Sequence, residues 1–197
     1  MNLYPMRKNL YTRRAGILMT AALLLLIAPA NYSATPPSPL QPNIGLNGFF
    51  STDKAQRGRT IQAAVVMEIP DGFHVNANKP LGKYAVPTTL KIEAPGGVKI
   101  GPVNFPRSTV RTFSFSKEQL AVYEGRAVMR FNITLPANYE PGVIELRARV
   151  RYQSCTDEVC FQPVTRDVTM PIAVVGVNES VKRINGQFFG SGGRRKR

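Results

Sequence analysis

Apolar and polar residues alternate with a period of two along several stretches of this chain. Met129, Phe131, Ile133 and Leu135 alternate with Arg130, Asn132 and Thr134. Ile144, Leu146, Ala148, Val150 and Tyr152 alternate with Glu145, Arg147, Arg149 and Arg151. Each run predicts a strand with one buried face and one wet face. Thr88 to Ala94 repeats the pattern with Leu90 and Ile92 against Lys91 and Glu93, and closes on Pro95-Gly96-Gly97. Thr60 to Ile69 is a denser run of Ala, Val and Ile that meets the turn signal Pro70-Asp71-Gly72. Val168, Met170, Ile172 and Val174 make a last strand, in which Pro171 lacks an N–H and so marks an edge or a bulge. Helical spacing is confined to one turn at Ser116 to Leu120. Short one-faced strands separated by Pro-Gly turns predict an all-β fold, two antiparallel sheets packed together.

The flanks differ. Residues 1–30 read as a signal peptide: Arg7, Lys8, Arg13 and Arg14 precede a short apolar run, Ala15 to Ala28, followed by the small-x-small site Ala28-Pro29-Ala30. An uncleaved N-terminal anchor is the competing reading. Residues 31–47 read as a Pro-rich linker, extended and stiff through Thr35-Pro36-Pro37-Ser38-Pro39. The folded part is expected at 48–177, and 178–197 as a flexible basic tail. The protein is therefore expected in the periplasm or outside the cell.

Composition narrows the chemistry. The net charge of +14 is concentrated at the ends; eight of the 26 basic residues are Arg7, Lys8, Arg13, Arg14 and Arg194 to Arg197, which leaves 18 against 12 acidic ones. Such a surplus is a solvated surface and argues against nucleic acid. Membrane contact is expected only through the signal or anchor, or through the basic tail. One His and two Cys in 197 residues give no metal-ligand set and call for no cofactor.

Those cysteines are the informative pair. Cys155 and Cys160 are separated by four residues and follow the strand that ends near Gln153, a spacing that suits a hairpin with the two sulfurs face to face. Facing residues lie ~4.5–5.5 Å apart, within reach of a disulfide. As a staple it adds little, on the order of 2 kcal/mol for so short a loop. The odd numbering that Cys155 shares with Arg147, Arg149 and Arg151 places it on the polar face, where guanidinium groups favour a reactive thiolate, against which Asp157 and Glu158 work. The same counting needs a bulge near Pro163. On these grounds a staple and an exchanging pair stand level. His74, the single His, is either a base or a hydrogen-bonded structural residue at a strand start. Asn76 and Asn78 are expected to satisfy backbone groups in a turn.

Tyr152-Gln153-Ser154-Cys155, then Cys160 and Pro163, resembles the Tyr-Gln-x-Cys…Cys-x-x-Pro signature of the N-terminal periplasmic domain of the thiol:disulfide interchange protein DsbD. Gly72-Phe73-His74-Val75-Asn76 and the stretch on to Pro80, with Val86 to Leu90 and Leu120 to Gly125, resemble further blocks of that family. The resemblance implies an immunoglobulin-like antiparallel β-sandwich whose cysteine pair carries electrons. It implies that Cys160 attacks a partner disulfide and that Cys155 resolves the mixed disulfide. The implied partners are thioredoxin-like proteins or disulfide isomerases, with a membrane electron carrier behind them. It further implies an aromatic cap over the pair, for which Phe113 and Phe115 are the candidates, with Tyr152, Gln153, Pro163 and His74 in support. The alternative is a non-catalytic binding module in which the disulfide only pins a hairpin.

Overall fold

A computed structural model describes residues 41–190; the expected signal peptide, most of the linker and the last seven residues lie outside that range. The strands are β1 (Gly45–Phe50), β2 (Ala55–Gln56), β3 (Thr60–Glu68), β4 (His74–Asn76), β5 (Thr89–Glu93), β6 (Lys99–Ile100), β7 (Thr109–Arg111), β8 (Leu120–Tyr123), β9 (Arg126–Thr134), β10 (Gly142–Tyr152), β11 (Ser154–Cys155) and β12 (Val164–Val175). One short helix, α1 (Gly186–Phe189), follows. They form three four-stranded sheets, ordered β1-β3-β9-β6, β2-β12-β10-β5 and β11-β4-β8-β7.

The first two sheets face each other as an immunoglobulin-like sandwich, and the alternation explains why. In β9 and β10 the residues picked out by period two (Met129, Phe131, Ile133, then Ile144, Leu146, Ala148, Val150) are buried in one shared core with Ala63, Val65, Met67, Met170 and Ile172. Gly48 of β1 sits so close to Met170 that any side chain there would collide with it, so glycine lets the two layers close. On the solvent side of the second sheet, Arg147 and Arg149 both pair with Asp167, the latter at 3.0 Å. Pro171 interrupts nothing: the β10–β12 register runs unbroken from Gly142↔Val174 to Tyr152↔Val164, and β2 covers only the far end of β12, so the missing N–H falls on an open edge.

Three expectations change. Ser116 to Leu120 is not helical: the segment bends, with the Ser116 hydroxyl donating to the Glu118 carbonyl and accepting from the Glu118 amide, and Leu120 already opens β8. The folded part starts before Gly48, because β1 begins at Gly45 and Ile44 is buried, its carbonyl accepting from Arg166 at 2.7 Å. It also extends beyond Val177. The segment 178–190 returns along β1, with Thr52 bridging Arg183, the Asn185 amide donating to the Phe50 carbonyl at 3.0 Å, and the buried Phe188 ring 4.4 Å from Phe49. Phe49 lies opposite Ala64, on the sheet face turned away from the sandwich core. Ala64 and Val66 on that face are buried, which is why β3 reads as continuously apolar instead of alternating.

Candidate functional site

The site lies on the third sheet. One face of it (Val75, Ala121, Tyr123) joins the main core. The other face carries Phe113, Leu120 and Val122 as a separate small cluster, with Ala85 against it. Two loops therefore roof this outer face: residues 112–119, bearing Phe113 and Phe115, and residues 77–88, bearing Ala85. They are tied together where the Lys83 amide donates to the Glu118 carboxylate at 2.8 Å. Gly82 lies tight against the Leu120 side chain, where a side chain of its own would clash.

Gln153 moves the chain from the sandwich to this sheet. Its side-chain oxygen accepts from the Asn76 amide at 2.9 Å and from the Val86 N–H at 3.1 Å, and its amide donates to the Phe161 carbonyl at 3.0 Å. The next residues, Ser154 and Cys155, pair with Val75 and His74 of β4. The face counting that put Cys155 with the arginines fails at this step, since β11 belongs to a different sheet from β10. Cys155 is 0% exposed, Arg147 and Arg149 are engaged with Asp167, and no bulge at Pro163 is needed. Pro163 is half-buried just ahead of β12, and Tyr152 is a buried core residue.

Cys155 and Cys160 face each other across the expected hairpin and are joined by a disulfide. The flanking bonds run from the Thr156 amide to the Val159 carbonyl (2.8 Å) and from the Phe161 amide to the Ser154 carbonyl (2.9 Å). The cysteines thus occupy a non-hydrogen-bonded pair, the closer of the two antiparallel spacings. Their Cα atoms are 4.0 Å apart, nearer than the sequence-based range. At the tip the Thr156 hydroxyl accepts from the Glu158 and Val159 amides. Asp157 and Glu158 are exposed, and the Ser114 hydroxyl pins the tip to the roof by donating to the Asp157 carbonyl at 2.8 Å.

The two sulfurs have unlike surroundings. Cys155 is sealed, whereas Cys160 is half-buried and lines a cleft of about 280 Å³ with Tyr84, Phe115, Glu118, Leu120 and Gln153. The two phenylalanines left open by the sequence take different places. Phe115 is 38% exposed and borders the cleft, while Phe113 is buried and stacks on the His74 ring at 4.0 Å. The Phe113 and Phe115 rings stack in turn at 5.4 Å.

His74 is 2% exposed, and its Nε2 has no hydrogen-bond partner, so stacking holds it where a hydrogen bond was expected. Burial pushes its pKa below the usual 6.5, only partly offset by the Asp157 and Glu124 carboxylates, and Arg111 pushes the same way as burial. Asn76 is not in a turn: it is a buried residue of β4. Asn78 acts through Tyr123, whose hydroxyl donates to Asn78 Oδ1 at 2.7 Å and accepts from the Asn78 amide at 3.1 Å. Burial raises the Tyr123 pKa, and the bond to Asn78 opposes that rise. The roles of Gln153 as a junction and of Glu118 as a tie between loops were invisible in the sequence, because Gln153 joins Asn76 and Val86, and Glu118 joins Lys83, across 35 or more residues.

The model of the family described as thiol:disulfide interchange protein DsbD, N-terminal, matches residues 47–171. Among solved structures, the N-terminal domain of DsbD from Neisseria meningitidis in its reduced form is 18% identical, with 70% of this chain and 88% of that one covered, at a TM-score of 0.40. The N-terminal periplasmic domain of ScsB from Proteus mirabilis is 9% identical, with 64% and 44% covered, at a TM-score of 0.42. A family 123 glycoside hydrolase from Clostridium perfringens is 15% identical, with 68% and 27% covered, at 0.33. No curated protein matches the chain.

Proposed function

Since the chain belongs to the family of the N-terminal domain of the thiol:disulfide interchange protein DsbD, we propose that it relays electrons outside the cytoplasm by thiol–disulfide exchange through Cys155 and Cys160. The observation that carries this reading is the asymmetry of the pair: one sulfur borders an open cleft and the other is sealed. An incoming thiolate or disulfide meets Cys160 first. In the reduced protein, the Cys160 thiolate attacks a partner disulfide, forming a mixed disulfide and releasing one partner thiolate. Cys155 then attacks Cys160, the internal disulfide forms, and the second partner sulfur leaves with the electrons. The reverse sequence reloads the pair from a donor.

The partners are thioredoxin-like proteins or disulfide isomerases, supplied in turn by a membrane electron carrier. Tyr84 and Phe115 offer such a partner an apolar rim at the cleft that Cys160 borders, with Phe115 as its cover. Phe113, locked between His74 and Phe115, anchors that cover.

The test is capture. Cys155→Ser leaves Cys160 without its resolving partner and is expected to accumulate mixed disulfides with periplasmic thioredoxin-like proteins on non-reducing gels. Cys160→Ser is expected to capture none. If neither variant captures a partner, the disulfide is a staple and the domain a binding module.

A further inference from the structure

The sealed sulfur poses a chemical problem that its neighbours address. Cys155 has to become a thiolate before it can attack, yet an apolar, water-free setting raises a thiol's pKa and keeps its proton on. Something beside it must take that proton.

Directly opposed residues on adjacent antiparallel strands project from the same face, with Cβ atoms ~4.5–5.5 Å apart. Cys155 is opposed by Cys160 on one side and by His74 on the other. The β4–β8 register, Val75↔Tyr123 and Asn76↔Val122, carried one residue further sets Glu124 opposite His74. Glu124, His74, Cys155 and Cys160 therefore form one cross-strand row. Its Cys160 end opens to the cleft. At its other end His74 and Glu124 line a second hollow, of about 250 Å³, with Asp71, Arg111 and Asp157. Arg111 is engaged with Glu124 at 3.2 Å.

His74 is the only imidazole in the chain, is all but inaccessible, and has an unpartnered Nε2. Its lowered pKa leaves it neutral at pH 7, the form that can accept a proton. Of the charged groups facing it, Asp157 and Glu124 favour the imidazolium once formed, and Arg111 opposes it.

We propose that His74 is the proton acceptor for Cys155 in the resolving step, and that the hollow beside Glu124 and Asp157 is the proton's way out. This rests on the exchange reading above. The Cys155 S–H bond breaks as an N–H bond forms on the imidazole. The Cys155 thiolate attacks Cys160, the Cys155–Cys160 bond forms, and the bond from Cys160 to the partner breaks. The partner sulfur leaves as a thiolate with the electron pair and is protonated from water at the cleft. The imidazolium returns its proton to water through the hollow. Two openings thus divide the work: sulfur passes on one side of the disulfide and the proton on the other.

Oxidised glutathione is a sufficient probe. Mixed with the reduced protein in a single turnover, it gives a first phase in which Cys160 is glutathionylated and a second in which Cys155 releases that glutathione. His74→Phe keeps a flat ring for Phe113 to stack on and removes both nitrogens. It is expected to leave the first phase unchanged and to slow the second on the order of a hundredfold at pH 7. The second-phase rate of this variant should keep climbing tenfold per pH unit into the alkaline range, where the wild-type profile has levelled off. His74→Gln, polar but not basic, should show the same slowing and decides the matter if the Phe variant does not fold. A second phase with the wild-type rate and pH profile in the folded variant overturns the role of His74 alone. A wild-type protein that never forms the mixed disulfide overturns the exchange reading instead.

Discussion

The two-layer sandwich and the small sheet beside it are built from the same kind of backbone, and they are organised in opposite ways. In the sandwich, strands of nine to twelve residues (β3, β9, β10, β12) present one face to a single large core, and of these only β3 is also covered on its other face. In the small sheet the strands have two to four residues, and β4, β8 and β11 are buried on both faces with no exposed position at all, while the edge strand β7 is exposed throughout. One of those faces is shared with the main core, and the other is closed only by two loops. The sandwich is a wall around one core, and the third sheet is a chamber closed on its outer side by loop side chains. Sulfur that is to exchange, as proposed above, is better served by the second kind of place, where a few side chains can shift without disturbing a packed core.

Substitutions can separate the two regions. The largest effect is expected from Leu146→Ala, in the middle of the sandwich, which should lower unfolding stability by about 3 kcal/mol in denaturant titrations. Exchange by the molecules that remain folded should not change. Gln153→Ala strikes the junction. It strands the Asn76 amide and the Val86 N–H and should lower stability by about 2 kcal/mol. Unlike the Leu146 change, it should also alter the reduction rate of the disulfide, because β11 loses its tether. Phe115→Ala should give the smallest stability change, within about 1 kcal/mol, since its ring is partly exposed. It should nonetheless raise the rate at which dithiothreitol reduces the disulfide several-fold. If Leu146→Ala changes that rate as much as Phe115→Ala does, wall and roof are not independent and the comparison fails.

The same contrast decides what the sequence reveals. The alternation from Ile144 to Tyr152 predicts β10, which is found at Gly142–Tyr152, because one face touches core and the other water along its length. β12 was expected only from Val168; it begins at Val164, and its early residues Thr165, Arg166 and Asp167 are exposed and carry no apolar signal. The strand start expected at His74 is where β4 begins, but alternation shows neither its extent nor its burial, since His74, Val75 and Asn76 are all buried while only one of them is hydrophobic. The hairpin and the pairing of its cysteines follow from their spacing. Which side of the molecule Cys155 faces does not, because period-two counting assumes one continuous sheet and Gln153 ends it. The choice between Phe113 and Phe115 was likewise beyond a sequence argument: both lie on one loop, and only the position of the His74 ring separates their tasks.

The return of the chain after β12 has a practical corollary. The family resemblance stops at residue 171, and a boundary drawn by hydrophobic alternation falls near Val177. Phe188, with the Arg126 guanidinium over its ring and the Arg130 side chain donating to its carbonyl, lies further along and shields an apolar patch that includes Phe49. A protein trimmed at either boundary would present that patch bare to its neighbours in solution. Its stickiness in a pull-down would then be mistaken for recognition.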